Sequence, residues 1–316
     1  MSTTELLSQG VIIMITLILI VVLLRKFRVI EKENSKITSN LVLKVTLPAL
    51  IFSALVTKKF DYDLLLIAGT VAIAEILSLT LAWFGARLLK LKKGETGALM
   101  LVATFGMSTM LGYPLIRQTF PGNALAMDDA VITSEIGVGV LLFIIGPIIA
   151  MHYGENNIIG KTIVTSIKKF LLSPIFVAIV AGIGLSFVNI PSNNVVVDTV
   201  YHLLTLIGNA NLLLVAITIG LLLEPHHLQK MIPFLVVVIL IKLIIQPLTT
   251  YQIITWIDLN TIAKQVATIE TSMPSAILVA IYARQYNCKP ELVSTTILVT
   301  LIISLISVTA LFSILF

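Results

Sequence analysis

The chain has few charged residues and almost no cysteine. Charged residues make up 12% of its 316 residues, whereas roughly a quarter of the residues of a soluble domain are charged. The single cysteine, Cys288, excludes an internal disulfide and any metal centre built from several cysteines. The sequence has no Walker motif, which excludes direct use of ATP through a P-loop within this chain. No histidine lies near the middle of an apolar run, which argues against an enzyme that uses histidine inside a membrane.

Apolar residues take the place of the missing charges. They make up 58% of the chain, and the mean hydropathy is +1.06, which indicates an integral membrane protein. The first apolar run, 6–24, has no basic residue before it and is followed by Arg25, Lys26 and Arg28. This order is the reverse of a cleavable signal peptide and predicts a first span with its N-terminus outside. The net charge is +5, and the basic residues lie in short loops between the apolar runs. We therefore expect no nucleic-acid partner.

Several apolar runs are long enough to cross a bilayer, for which about 20 residues are needed. We count ten, near 6–25, 39–57, 62–88, 96–118, 126–150, 171–189, 196–223, 231–257, 261–285 and 291–315. The sequence therefore predicts an all-α integral membrane protein with ten transmembrane helices.

The basic residues predict how these spans are oriented. Of the 21 lysines and arginines, 15 fall in the loops on one side, 3 fall on the opposite side and 3 lie within spans. Because basic residues concentrate in cytoplasmic loops, both termini are expected on the extracytoplasmic side of the cell membrane. The first five spans then begin outside and the last five begin inside. This arrangement predicts an inverted 5+5 repeat with one five-helix unit in 1–150 and another in 151–316.

Two prolines interrupt spans at corresponding places in the two halves. Pro114 lies in the fourth span and Pro274 in the ninth. Proline removes a backbone donor and clashes with the preceding turn, so we expect each helix to break at its proline. Freed backbone groups are tolerated in a membrane only where they are buried or line a cavity. Paired broken helices in the two halves therefore predict a binding site near the bilayer centre.

Three segments resemble the auxin efflux carrier family, the PIN-like transporters. The segment KVTLPALIFSAL at 44–55 resembles the second helix of the family, and GYPLI at 112–116 resembles its Gly-x-Pro-Leu break in the fourth helix. The most specific block is 273–298, MPSAILVAIYARQYNCKPELVSTTIL, which resembles the ninth and tenth helices. The chain has no long central hydrophilic loop and so resembles the short microbial members.

The resemblance implies a fold and an activity. Helices 4 and 9 would cross at their breaks. Helices 1, 2, 6 and 7 would form a scaffold that also makes a homodimer, and helices 3–5 and 8–10 would form a mobile transport domain. The substrate would be a small organic anion such as a carboxylate, moved by an elevator-type, alternating-access mechanism. Many members carry an asparagine seven residues before the fourth-helix proline, where this chain has Met107, so auxin itself is not assumed.

The half-helices beyond the breaks suggest how an anion would be held. A helix N-terminus carries roughly half a positive charge and free backbone donors, so two such ends meeting at a crossing favour a carboxylate. The alternative is a pair of simple kinks whose free backbone groups bond nearby hydroxyls. The candidate substrate-binding residues around the breaks are Met107, Ser108, Thr109, Gly112, Pro114, Thr271, Ser272, Pro274 and Ser275.

Ionisable residues within spans are candidates for ion coupling because a charge at the bilayer centre is costly. Glu270 lies four residues before Pro274 and is the leading candidate for proton coupling. Glu75 is at the middle of the third span, and Lys242 in the eighth span is its expected positive partner. The alternative for Glu75 and Glu270 is a purely structural buried pair with a lysine. Glu135, at the start of the fifth span, either faces the outer water or lies inside the protein.

These features predict a secondary transporter whose partners are a small organic anion and membrane lipid. We expect it to have no cofactor and no metal centre, and not to be an enzyme. One alternative is a sodium-coupled organic anion carrier resembling the bile acid symporters, which share the broken-helix plan. A channel or a membrane sensor is a further alternative.

Overall fold

A computed structural model describes residues 2–56, 62–154, 168, 171–188, 195–222 and 231–316. The regular structure in these ranges is helical, and the β-structure they contain is one isolated bridge between Gly106 and Ser275. The helices are α1 (Thr3–Lys26), α2 (Asn34–Leu55), α3 (Tyr62–Leu88), α4 (Lys93–Thr104), α5 (Tyr113–Thr119), α6 (Ala124–Tyr153), α7 (Pro174–Ser186), α8 (Val195–Leu221), α9 (Ile232–Trp256), α10 (Thr261–Thr271), α11 (Ile277–Gln285) and α12 (Pro290–Leu315).

Seven of the described helices are long and apolar enough to cross a membrane. They are α1, α2, α3, α6, α8, α9 and α12, and each lies on one of the ten predicted spans. The other three predicted spans correspond to shorter pieces. One is the 13-residue helix α7, and the other two are the interrupted pairs α4 with α5 and α10 with α11. The chain is thus an all-helical, multi-span protein, and the inverted 5+5 repeat stays a prediction.

The break in the fourth predicted span lies upstream of Pro114, and the expectation of a break at that proline is wrong. Helix α4 ends at Thr104, Phe105 is extended with φ −84° and ψ 128°, and the chain resumes as a π turn over Ser108–Gly112. Pro114 follows as the second residue of α5, without interrupting the helix. The wide π turn immediately before the proline makes room for its ring and for the missing donor.

The break in the ninth predicted span lies at Pro274, as the sequence predicts. Helix α10 ends at Thr271, the next helix begins only at Ile277, and Pro274 lies between them. No π turn precedes this proline, so the lost backbone donor and the ring clash are not absorbed within a continuous helix.

The chain divides into two compact units, each drawn from both halves of the sequence. One consists of Met1–Asp61, Tyr113–Val131 and Lys169–Leu223, and contains Pro114. The other consists of Tyr62–Gly112, Ile132–Lys168 and Glu224–Phe316, and contains both interrupted backbone segments. The division into repeats 1–150 and 151–316 concerns internal symmetry and stays a prediction. Five of the basic residues that were used to orient the spans lie outside the described residues. They are Lys58, Lys59, Lys161, Lys169 and Lys230.

Candidate functional site

The two interrupted segments pair with each other through their backbones. The Met107 N–H donates to the carbonyl of Pro274 at 2.7 Å, and the Ala276 N–H donates to the carbonyl of Phe105 at 2.9 Å. These bonds form a short antiparallel pair centred on Gly106 and Ser275. Backbone groups that leave a helix inside a membrane protein need such partners, because an unsatisfied group costs several kcal/mol in an apolar medium.

Ser275 ties this pair to the neighbouring helices. Its hydroxyl donates to the carbonyl of Val102 in the last turn of α4 at 2.6 Å. Its backbone N–H donates to the hydroxyl of Thr300 on α12 at 3.2 Å, and the Thr300 hydroxyl donates in turn to the Ser275 hydroxyl at 3.2 Å. One serine therefore holds three segments together, and its own proton is already engaged.

Two side chains of α9 bind the carbonyl ends of both interrupted helices. Gln246 donates through Nε2 to the carbonyl of Thr104, the last residue of α4, at 3.2 Å. Lys242 donates through Nζ to the carbonyl of Thr271, the last residue of α10, at 3.3 Å. Lys242 also donates to the amide oxygen of Gln246 at 2.5 Å. Because the C-terminal end of a helix is partly negative, an amine is favoured there.

Gly106 leaves the space that this lysine occupies. A Cβ at Gly106 would lie 2.8 Å from the Lys242 amine, closer than any ordinary contact. Lys242 is positioned by a π turn over Leu240–Ile245 within α9, and its side chain is 1% exposed. The sequence predicts Lys242 as a site residue but does not predict Gln246. The available signal was an amide one helical turn after a lysine in the middle of an apolar span.

Glu75 lies in the same region as this lysine and forms no hydrogen bond to it. Its side chain is fully buried on α3, and Lys242 and Gln246 are the polar groups that act on it. Neither carboxylate oxygen has a hydrogen-bond partner among the described residues. The arrangement brings Glu75, Lys242 and Gln246 into one polar centre.

Glu270 lies in the last turn of α10 and is also fully buried. Its carboxylate packs directly on the backbone of Gly112, where a Cβ would be 2.6 Å from Oε1. Within the described part of the chain, neither oxygen has a hydrogen-bond partner. The charged side chains that act on it are Glu135 and Lys242. Any side chain at position 112 would clash with this carboxylate, so the position requires glycine.

A set of hydroxyls lies between the two π turns. Thr109 donates to Oε1 of Glu135 at 2.9 Å, and the Thr109 and Ser134 hydroxyl oxygens are 2.9 Å apart. Ser134 donates to the hydroxyl of Ser108 at 2.7 Å. Glu135 is 4% exposed. Of its two predicted environments, the outer water and the protein interior, it therefore occupies the interior. The π turn over Ile132–Gly139 directs Ser134 and Glu135 toward Thr109, and no local pattern in the sequence predicts that turn.

The remaining predicted site residues are divided between this region and the other unit. Thr271 and Ser272 donate their hydroxyls to the carbonyls of Ala267 and Thr268, both at 2.7 Å, within their own helix. Met107 is buried at 4% exposure in the extended segment. Pro114 belongs to the other compact unit.

The helix that begins after Pro274 presents a bare N-terminus. Its N-cap residue is Ala276, which has no side chain able to accept from the first-turn N–H groups. Such donors favour an anion, because they combine free N–H groups with the positive end of the helix dipole. The region thus combines an uncapped helix N-terminus, one lysine and three buried carboxylates, Glu75, Glu135 and Glu270.

These features define a class of protein: a multi-span membrane protein, helical in its described residues, with a buried polar centre where two interrupted helices meet, an arrangement known from membrane transporters. The chain belongs to the family described as Membrane transport protein, whose sequence profile matches residues 6–312. The predicted resemblance to auxin efflux carriers is confirmed.

Curated relatives agree with this assignment. The chain is 24% identical over 302 residues to a protein of Methanocaldococcus jannaschii, with 94% of each chain covered. It is 26% identical over 302 residues to a protein of Methanothermobacter thermautotrophicus, with 95% of each covered. Both relatives are named uncharacterized transporters. The family and these relatives point to a transporter and not to an enzyme.

Proposed function

We propose that this protein is a secondary active transporter that moves a small organic anion, such as a carboxylate, across the cell membrane. The observation that carries the proposal is the pairing of the two interrupted segments, Phe105–Met107 with Pro274–Ala276, beside the uncapped start of α11. Secondary transporters hold anionic substrates at half-helix N-termini near the bilayer centre. The proposed substrate-binding residues remain those that flank the two breaks.

The charges around the crossing support coupling to a cation. An organic anion arriving near Glu270 would be repelled by the carboxylate at close range in a medium of low dielectric constant. Glu270 must therefore be neutralised before or together with substrate binding. The sequence favours a proton, and sodium, as in the bile acid symporters, is the alternative.

We further propose the overall plan that the family resemblance implies. Ten spans form an inverted 5+5 repeat in which helices 4 and 9 cross, and the mobile helices carry the anion by an elevator motion against a scaffold. Two copies associate through the scaffold as a homodimer. Both termini face the extracytoplasmic side, because 15 of the 21 basic residues fall in loops on the other side.

A ligand screen followed by a flux measurement tests the transport proposal. Purified protein is screened by thermal shift against small mono- and dicarboxylates, and each stabilising compound is then tested for saturable flux in proteoliposomes. We expect stabilisation by at least one carboxylate and turnover that saturates with its concentration. Flux that does not saturate would instead identify a channel, and binding without any flux would identify a sensor.

The variant Pro274→Ala tests the proposed binding site. It should leave the protein folded and abolish most of the flux, because an unbroken helix removes the N-terminal end that holds the anion. Pro147→Ala is its control, since Pro147 lies inside the continuous helix α6. Flux and apparent affinity close to those of the wild type in Pro274→Ala would reject the site.

A further inference from the structure

Two buried carboxylates lie against the same π turn, Ser108–Gly112. Glu270 packs on Gly112 at the end of this turn, Glu135 accepts a hydrogen bond from Thr109 within it, and each carboxylate is less than 5% exposed. The hydroxyls of Thr109, Ser134 and Ser108 are linked to one another and to Glu135 by contacts of 2.7–2.9 Å. The two π turns, Ser108–Gly112 and Ile132–Gly139, therefore bring three hydroxyls and the Glu135 carboxylate together.

The two carboxylates differ in how well they are satisfied. Glu135 accepts a hydrogen bond from Thr109. Glu270 is completely buried, and neither of its oxygens has a partner in the described ranges. A buried, unpaired carboxylate is among the most costly groups that a protein interior can hold. This unpartnered side chain is an observation independent of the hydroxyl cluster, and it requires a positively charged ligand.

Lys242 does not supply that charge alone. Its amine is hydrogen-bonded to Gln246 and to the carbonyl of Thr271, and it acts on both Glu75 and Glu270. The charged groups facing the centre from α3, α6, α9 and α10 are thus three carboxylates and one amine. An anionic substrate would add a further negative charge, so additional positive charge must enter the site.

The oxygen set favours a metal cation over a proton. A proton occupies a single oxygen and leaves the other oxygen of Glu270 without a donor. A small hard cation takes several oxygen ligands at once from carboxylates, hydroxyls and the carbonyls at a half-helix end. Divalent ions favour a larger set of acidic ligands, and no group of three or more acidic, histidine or cysteine side chains able to hold a metal ion occurs in the described residues.

We propose that a small monovalent metal cation, of the sodium class, binds between Glu270 and Glu135 with the hydroxyls of Thr109 and Ser134 as further ligands. The site deepens the proposed transport function and rests on it for its role in coupling. Bound cation would neutralise Glu270 at the end of α10. It would thereby prepare the adjoining break at Pro274 for an anion.

The test measures thermal stability of the purified protein without any organic anion. Melting temperature is recorded at fixed pH and ionic strength while sodium replaces choline, and then with potassium or calcium in place of sodium. Because a ligand stabilises the folded state in proportion to the logarithm of its concentration, the sodium series yields an apparent Kd. The variants are Glu270→Gln and Glu135→Gln, with Asp198→Asn as a control at an exposed carboxylate of α8.

We expect sodium to raise the melting temperature of the wild type and of Asp198→Asn, and the apparent Kd to rise by roughly tenfold or more in both glutamine variants. Thr109→Val, which keeps the shape and removes the hydroxyl, serves if a glutamine variant fails to fold, and it should also weaken the sodium response.

Four results would overturn the proposal. They are equal melting temperatures in sodium and choline, a full sodium response in the variants that fold, a stronger response to calcium than to sodium, and stabilisation that follows pH alone, which would assign a proton to Glu270. Because no carboxylate is present, failure here leaves the transport proposal standing. Failure of the carboxylate screen, in turn, does not alter this measurement.

Discussion

The amine of Lys242 donates a hydrogen bond to the side-chain oxygen of Gln246, one helical turn further along α9, at 2.5 Å. Through this contact the two side chains act as one unit that binds the last carbonyl of α4 and the last carbonyl of α10. The two interrupted helices are thus fixed to the same pair of residues. Any change in that pair is expected to affect both breaks together.

Removing the charge of Lys242 should strongly destabilise the protein. Lys242→Met keeps an unbranched side chain that is one atom shorter, and it leaves the Thr271 carbonyl and the nearby carboxylates without their amine. Breaking a buried charged contact typically costs about 3–5 kcal/mol, so we expect a large fall in melting temperature. Lys264→Met is the control, because Lys264 is only partly buried and its amine lies 5.9 Å from the ring centre of Tyr251. Equal stability of the two variants would contradict the role given to Lys242.

A methyl group at Gly112 should displace the carboxylate of Glu270. A Cβ there would be 2.6 Å from Oε1, and overpacking of this kind costs about 1–3 kcal/mol. We therefore expect Gly112→Ala to lower the melting temperature and to abolish most of the flux. Gly69→Ala is the matched control, since nothing lies within 4 Å of a Cβ at Gly69, and alanine in a helix is favoured by up to ~1 kcal/mol. A Gly112→Ala variant with wild-type stability and flux would show that Glu270 does not need this contact.

The thiol of Cys288 should be unreactive in the folded protein. The side chain is buried between α11 and α12 and donates to the carbonyl of Gly94 at 3.4 Å. Burial raises the pKa of the Cys288 thiol from its ordinary value of 9.0 to about 12, so the reactive thiolate is scarce at pH 8. We expect N-ethylmaleimide to modify it, by intact mass, only after denaturation. A cysteine introduced at exposed Ser294 in a Cys288→Ser background should react readily.

The same pKa shift has a consequence for stability. Because the folded pKa is raised, the contribution of Cys288 is complete below about pH 9 and is lost as the pH rises from about 9 toward 12. Wild type should therefore lose stability over this interval more steeply than Cys288→Ser, as measured by melting temperature. Rapid alkylation of native wild-type protein at pH 8 would show that the thiol is exposed.

The N-terminus and the loop between α3 and α4 should lie on opposite sides of the membrane. We expect Ser2→Cys to react with a membrane-impermeant maleimide applied to intact cells, and Lys92→Cys to react only after permeabilisation. Lys289→Cys should behave like position 92, because the Lys289 side chain lies against Gly94. Labelling at position 92 but not at position 2 would contradict the ten-span orientation.

The break at Pro274 could be read from the sequence, whereas the other break could not. A proline in the middle of an apolar run disrupts a helix unless the preceding turn adapts. At Pro114 that adaptation is the π turn Ser108–Gly112, whose formation depends on packing against other segments and not on local composition. The break moved to Phe105–Met107, where the Lys242 amine approaches Gly106. Those neighbours are distant in sequence.

Much about this protein was determined by its sequence alone. Apolar runs of membrane-spanning length, the sparse charges and the asymmetric basic residues define an integral membrane protein, since lipid tolerates little else. The buried ionisable residues Glu75, Lys242 and Glu270 were also identified from the sequence, because charges in apolar spans are costly and therefore conspicuous.

The tertiary structure decided which of these residues are in contact and which of them have no hydrogen-bond partner among the described residues. It brought Glu135 into contact with Thr109, joined Gln246 to Lys242, and left Glu270 on the bare backbone of Gly112. These relationships depend on the registry of helices that lie far apart in sequence and on π turns that rotate side chains relative to an ideal helix. No single-segment pattern encodes that registry, because it arises from how several helices pack together.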